Sequence, residues 1–239
     1  MRIVFAGTPA VAVPTLEALN RAGHEIVLVL TREDAPRGRK RILTPSEVAV
    51  AATDMGLPLL KANVVTDEVV AAVRDARVDL GVVVAFGAIF RPPMLAAPNA
   101  GWMNLHFSLL PRWRGAAPVP HALLAGEPLG VSVFQLDTGV DSGPLWRSEA
   151  LEVDPLASAS DVLSDFAVRG AEVVLQAISA ADAGESPRPQ VGTPSHAPKL
   201  AAIDGELRPS DGIAAVFRRF RAMTSEPGAY LWDSDERIK

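Results

Sequence analysis

Apolar and polar positions in the first hundred residues switch repeatedly between a strand rhythm and a helix rhythm. Residues 2–6 form a short apolar run that enters the turn Gly7-Thr8-Pro9, and residues 14–22 read as a helix stopped by Gly23. Residues 25–30 predict a second strand. Residues 31–43 carry charge but no hydrophobic period, which predicts a flexible loop, poorly ordered on its own. A helix over 45–55 ends at Gly56, and a short strand over 57–60 precedes a helix over 67–76. Residues 79–86 are almost continuously apolar, the mark of a central parallel strand covered on both faces. This alternation predicts an α/β fold, a mostly parallel sheet with helices on both faces.

The rhythm then changes. Residues 102–105 predict a short strand leading into a polar loop, and 131–136 with 145–153 predict an antiparallel pair around a turn rich in Gly and Asp. Residues 158–181 predict a long helix and 184–198 a proline-containing loop. A last helix is expected over 210–223, capped by Ser210 or Asp211, and a strand-like piece around 229–232.

Hydrophobic residues make up 49% of the 239, enough to bury a substantial core and to exclude disorder throughout. No apolar run approaches the ~18 residues that span a bilayer, and the N-terminus turns too soon for a signal peptide. Cysteine is absent, which excludes disulfides and thiolate metal sites. A cytoplasmic protein is the expectation. The formal net charge is −5; a chain that wraps nucleic acid over its whole surface is usually basic, so an RNA partner would have to be met by a local patch.

Four places could carry chemistry. Gly7-Thr8-Pro9 lacks the later glycines of a dinucleotide fingerprint, and Pro9 removes a backbone donor, so a dehydrogenase is disfavoured. Asn104 and His106 lie two apart near a strand end, hence on one face, where a carboxamide can bond an oxyanion and an imidazole can carry a proton. Taken alone, the pair also fits a structural Asn and a satisfied loop His. The segment Asp137-Thr138-Gly139-Val140-Asp141-Ser142-Gly143 offers two acids but has the composition of an ordinary hairpin turn. Arg37, Arg39, Lys40 and Arg41 fit either a solvated loop or a phosphate-contacting arm. His24, His106, His121 and His196 are scattered, none at metal-ligand spacing from another, and no metal is expected.

Asn104-Leu105-His106-Phe107-Ser108-Leu109-Leu110-Pro111-Arg112-Trp113-Arg114-Gly115-Ala116-Ala117-Pro118 resembles the signature of the methionyl-tRNA formyltransferases. Phe5-Ala6-Gly7-Thr8-Pro9, Leu43-Thr44-Pro45-Ser46, Val84-Ala85-Phe86-Gly87, Asp137-x-Gly139-x-Asp141-x-Gly143 and Ala197-Pro198-Lys199 are similar to that family too, in order through residues 1–232. The resemblance implies a Rossmann-like formyltransferase fold over residues 1–203. It also implies a linker and the incomplete start of a C-terminal β-barrel over 204–239, in a chain expected to be a monomer.

The implied reaction moves a formyl group from 10-formyltetrahydrofolate to the α-amino group of methionine on initiator tRNA. Asn104 would bond the oxyanion, His106 would polarise the formyl oxygen or shuttle a proton, and Asp141 would hold His106 and help relay the amine proton. These three are expected to converge at the carboxyl edge of the sheet. Phe86, Gly87, Ile89 and Pro92, with Leu136, Asp137 and Gly139, would hold the pterin. Ser108, Leu109, Leu110 and Pro111 would shape the pocket floor. Arg37, Arg39, Lys40 and Arg41 would meet the tRNA acceptor end, with Arg39 at the family's key arginine. Phe86 stands where Tyr is common, Phe107 where a small residue is, His121 where Gln is usual and His196 where Tyr is. The same centre could serve a small amine acceptor such as glycinamide ribonucleotide or an amino-sugar nucleotide; the basic segment and the Arg112-Trp113-Arg114 stretch favour tRNA.

Overall fold

Strand β1 (Arg2–Gly7) is apolar on both faces, and that decides where it sits. Ile3 and Phe5 point into one core, Val4 and Ala6 into the other, and all four are fully buried. Only the middle of a sheet covered on both sides can hide such a strand. The computed structural model describes residues 1–234 and 236–238.

From β1 the chain runs through α1 (Val13–Arg21), β2 (Glu25–Thr31), β3 (Ala35–Arg37), β4 (Ile42–Thr44), α2 (Glu47–Asp54), β5 (Leu59–Lys61), α3 (Asp67–Asp75) and β6 (Leu80–Val84). It continues through α4 (Pro92–Leu95), β7 (Trp102–His106), α5 (Pro118–Ala125), β8 (Gly130–Gln135), β9 (Leu145–Ala150) and α6 (Ala159–Asp182). It closes with α7 (Ile213–Met223), β10 (Leu231–Asp233) and β11 (Glu236–Ile238). The main sheet has the order β5-β2-β1-β6-β7-β8-β9. Pairings from β5 to β7 are parallel, and β8 and β9 turn antiparallel. Side chains of α1, α2, α5, α6 and α7 line one core; α3 and α4 line the smaller core on the opposite face. The mostly parallel sheet with helices on both faces is therefore present.

Strand order reverses at β1, which has β2 on one side and β6 on the other. The chain leaves β1 toward α1 on one face and β6 toward α4 on the other, so their carboxyl ends form the switch point at which open α/β sheets take ligands. The Thr8 hydroxyl donates to the Phe86 carbonyl across it, 3.0 Å.

Ser158 starts α6 with a capping box, its side chain accepting from the Asp161 N–H while Asp161 accepts from the Ser158 N–H. Such a cap stabilises a helix start by ~1 kcal/mol. The last helix begins later than its sequence suggests. Residues 209–211 make a separate 3₁₀ turn, and Gly212 at φ 82° breaks the run, so α7 starts at Ile213. Ala222 and Met223 of α7 are fully buried in the larger core, which ties this helix to the sheet domain although it lies past residue 203.

Residues 35–44 are not a structureless loop. They pair as an antiparallel hairpin, Ala35 with Thr44 and Arg37 with Ile42. Helices α4 and α5 also escape prediction from hydrophobic period, because each is short and opens on proline, which is tolerated only in a first turn.

Candidate active site

Met103, Leu105 and Phe107 belong to the larger core, so alternation along β7 turns Asn104 and His106 to the opposite face. On neighbouring β8, Phe134 lies opposite Asn104 and Ser132 opposite His106. The His106 ring meets the Phe134 ring edge-on, centroids 6.4 Å apart. Ser132 pins the loop that follows β7: its Oγ donates to the Ser108 carbonyl at 2.7 Å and accepts from the Leu110 N–H at 3.1 Å. Ser108 in turn donates to the Arg112 carbonyl, 2.7 Å. The loop so held aims the Trp113 carbonyl at His106 Nε2, 2.9 Å. A carbonyl only accepts, so Nε2 carries a hydrogen and the other ring nitrogen is the one left for exchange.

That nitrogen, Nδ1, faces Asp141 Oδ2 at 3.7 Å, with both side chains largely shielded from water. Shielding strengthens whatever charge interaction the pair makes. The same Oδ2 accepts the Gly115 N–H at 2.7 Å. Gly115 has φ 119°, and a Cβ there would stand 2.8 Å from the Ala197 carbonyl oxygen, so this donor position requires glycine. Asp141 does not come from the sheet edge where His106 ends. Because β8 runs antiparallel, its last residues lie beside the start of β7, with the Leu136 N–H on the Trp102 carbonyl at 2.8 Å. The loop after β8 must fold back across the face. Four strand residues cover ~13 Å, within the reach of residues 137–141. The pair therefore meets at the carboxyl end of β7, where His106 closes the strand and the loop from β8 returns.

Asp137 shapes that returning loop, accepting the Gly139 N–H at 2.9 Å and the Ser142 hydroxyl at 2.9 Å. Gln190 holds it from outside, donating to the carbonyls of Asp141 (2.9 Å) and Gly143 (2.8 Å) while accepting from Arg114 Nη2 (2.6 Å). Ala85, Trp113 and Asp141, one on each of three converging loops, have φ of 46°, 62° and 48°. Left-handed non-glycine backbone costs about 1–3 kcal/mol and collects where function over-determines geometry. Trp113 Nε1 and Arg114 Nε are buried without a partner among the described residues.

Residues 1–178 match the formyl transferase family. The chain is 47% identical over 241 residues to a methionyl-tRNA formyltransferase of Clavibacter sepedonicus, covering 100% of this chain and 79% of that one. It is 50% identical over 244 residues to a methionyl-tRNA formyltransferase of Leifsonia xyli, covering 100% and 80%. The chain belongs to the methionyl-tRNA formyltransferases. In fold it also matches a 4-N formyltransferase from Francisella tularensis (TM-score 0.75, 15% identity, 99% of this chain and 95% of that one). A second solved match is an N-formyltransferase from Helicobacter canadensis in complex with folinic acid and dTDP-3-aminofucose (TM-score 0.71, 15% identity, 93% and 80%).

For a methionyl-tRNA formyltransferase, the residues expected to hold folate fall on three loops. Phe86 is buried, packed 5.8 Å from Phe90 with no hydroxyl to satisfy, while Gly87, Ile89 and Pro92 are exposed in the segment that follows β6. Leu110 and Pro111 are buried and Leu109 half-buried under the His106 loop. Leu136 is half-buried; Asp137 and Gly139 are exposed on the returning loop. Phe107 fills the larger core. His121 stacks on Trp113 at 5.9 Å and bonds the Pro198 carbonyl at 3.0 Å, serving the loop from behind.

Of the basic arm, Arg37 is held down: its guanidinium takes both carboxylate oxygens of Glu47. Arg39, Lys40 and Arg41 stay exposed at the hairpin turn, next to the exposed Ile42 and Leu43. Trp113, Gly115 and Gln190 entered the site unannounced by residue type. Two of them act through backbone groups, which side-chain chemistry does not announce, and Gln190 sits in a loop where nothing in the sequence marks an amide. No helix is long and apolar enough to cross a membrane, and no cluster of three or more potential metal ligands is assembled among the described residues.

Proposed function

We propose that formyl transfer from 10-formyltetrahydrofolate to the α-amino group of methionine on initiator tRNA takes place over β7, with Asn104, His106 and Asp141 as the reaction centre. The supporting observation is the approach of His106 Nδ1, on the last residue of β7, to Asp141 Oδ2, on the loop that follows β8, at 3.7 Å. In the reaction the amine nitrogen attacks the formyl carbon, the carbonyl oxygen becomes an oxyanion, and the bond from carbon to N10 of the folate then breaks. One proton leaves the amine and one is delivered to N10. The Asn104 carboxamide, half-buried on the same face, donates to the oxyanion as charge develops. Nε2 of His106 is committed to the Trp113 carbonyl, which favours proton relay through Nδ1 and Asp141 over direct polarisation of the formyl oxygen by Nε2. A gap of 3.7 Å is longer than a hydrogen bond, and such contacts tighten when substrate fills the site.

Phe86, Gly87, Ile89 and Pro92 with Leu136, Asp137 and Gly139 hold the pterin through backbone groups, above Ser108, Leu109, Leu110 and Pro111. Arg39, Lys40 and Arg41 meet phosphates of the tRNA acceptor end, with Arg37 anchoring the hairpin. The test is formyl transfer from 10-formyltetrahydrofolate to charged initiator tRNA, run beside glycinamide ribonucleotide and an amino-sugar nucleotide. Transfer to tRNA alone is expected; efficient transfer only to a small amine would overturn the acceptor.

A further inference from the structure

The geometry points to Gln190 as a positioning residue that sets the Asp141–His106 contact, an inference that rests on the role proposed for Asp141. Its amide nitrogen donates to two carbonyls of the returning loop, Asp141 at 2.9 Å and Gly143 at 2.8 Å. Its amide oxygen accepts from Arg114 Nη2 at 2.6 Å. Only this orientation is satisfiable: a flipped amide would set an oxygen against two carbonyls and an NH₂ group against a guanidinium. Arg114 lies between Trp113, whose carbonyl holds His106 Nε2, and Gly115, whose N–H holds Asp141 Oδ2. One side chain thus ties the loop carrying Asp141 to the loop that orients His106. The second loop is itself anchored to the Gln190 segment, since Arg114 and Ala197 exchange backbone bonds through neighbouring residues (Arg114 N–H to the Ser195 carbonyl, 2.8 Å; Ala197 N–H to the Arg114 carbonyl, 2.7 Å).

The clamp matters because Asp141 sits in left-handed backbone and approaches His106 at 3.7 Å. A loop so strained relaxes when its restraints go, and a small displacement of a relay group is costly in rate. Gln190→Glu separates the two ends of the clamp. The carboxylate keeps and strengthens the bond to Arg114, but it has no hydrogen for the carbonyls of Asp141 and Gly143.

The experiment measures kcat, folate KM and the pH profile of kcat for Q190E, D141N and the double variant, with thermal midpoints to confirm folding. Q190E is expected to lower kcat about tenfold or more with folate KM little changed, and to shift the pH profile. In the D141N background, Q190E should cost less than about twofold, because the group it positions is already disabled. Wild-type kcat and pH profile in Q190E beside an impaired D141N would overturn the inference, as would fully multiplicative losses. Full activity in D141N would instead sink the reading of Asp141 itself. Should Q190E not fold, Q190N, which is one methylene too short to span both loops, carries the same cycle with the same expected and overturning results.

Discussion

His106 and Asp141 are each unremarkable by type, and their value lies in which atoms face each other. Nε2 is bonded to a backbone carbonyl and Nδ1 faces a shielded carboxylate. In the role proposed for them they act on charge that develops in the transition state, which adds little to ground-state binding. His106→Ala and Asp141→Asn should therefore lower kcat by roughly 10²–10⁴-fold while the folate dissociation constant moves only a few-fold. Turnover assays beside direct folate binding decide this; parallel losses in both would mark a binding role. Asn104→Ala should lower kcat by about 10²–10³-fold, the usual cost of losing one oxyanion donor.

The β3–β4 hairpin carries its charge on an exposed turn whose neighbouring strand residue is tied to α2. The turn end of β3 is pinned to α2 by the Arg37–Glu47 pair, and hydrogen bonding to Arg37 is the main cause holding the Glu47 carboxyl below its ordinary range. A depressed carboxyl pKa stabilises the fold above the ordinary glutamate range, and the contribution is lost as pH falls through the folded value. Hairpin amides should thus keep their exchange protection at neutral pH and lose it on acidification, before the core strands do; Arg37→Ala should remove the pH dependence. The tip carries Arg39, Lys40 and Arg41. Arg39→Ala should weaken use of tRNA, leave folate binding intact, and reduce the salt slope of tRNA binding by about one unit. Unchanged tRNA kinetics and salt dependence would leave the hairpin a solvated connection.

Helix α7 combines exposed and sealed positions. Two aromatic rings, Phe217 and Phe220, stay largely exposed, whereas Ala222 and Met223 are sealed in the larger core. Met223→Ala should cost about 2–5 kcal/mol, with denaturation still a single transition, because the cavity opens in the core shared with β1 and α6. A second, independent transition would place α7 in a separate folding unit.

Across the whole molecule, legibility in the sequence tracked the range of the forces involved. Strand β6 was readable because five consecutive buried residues need no partner to be recognised as central. Helices α1, α2, α3 and α6 were readable from period and stop signals, which are local. The hairpin, α4 and α5 were not, since each is short and held by its place beside larger elements. Asn104, His106 and Asp141 could be picked out as residue types, and the long stretch around Asn104 carried the family resemblance. Their meeting point could not. A strand period says which residues share a face, but only the antiparallel return of β8 sends Asp141 back across that face. Trp113 and Gly115 stand inside that stretch, but their roles run through backbone groups, and Gln190 acts through an unmarked amide, so neither composition nor spacing shows what the three do. The sequence by itself determined the alternation of elements and the chemical types available. The tertiary structure alone decided which loops meet over β7, because contacts between residues 106, 141 and 190 depend on strand direction and loop return, and neither is encoded in a local pattern.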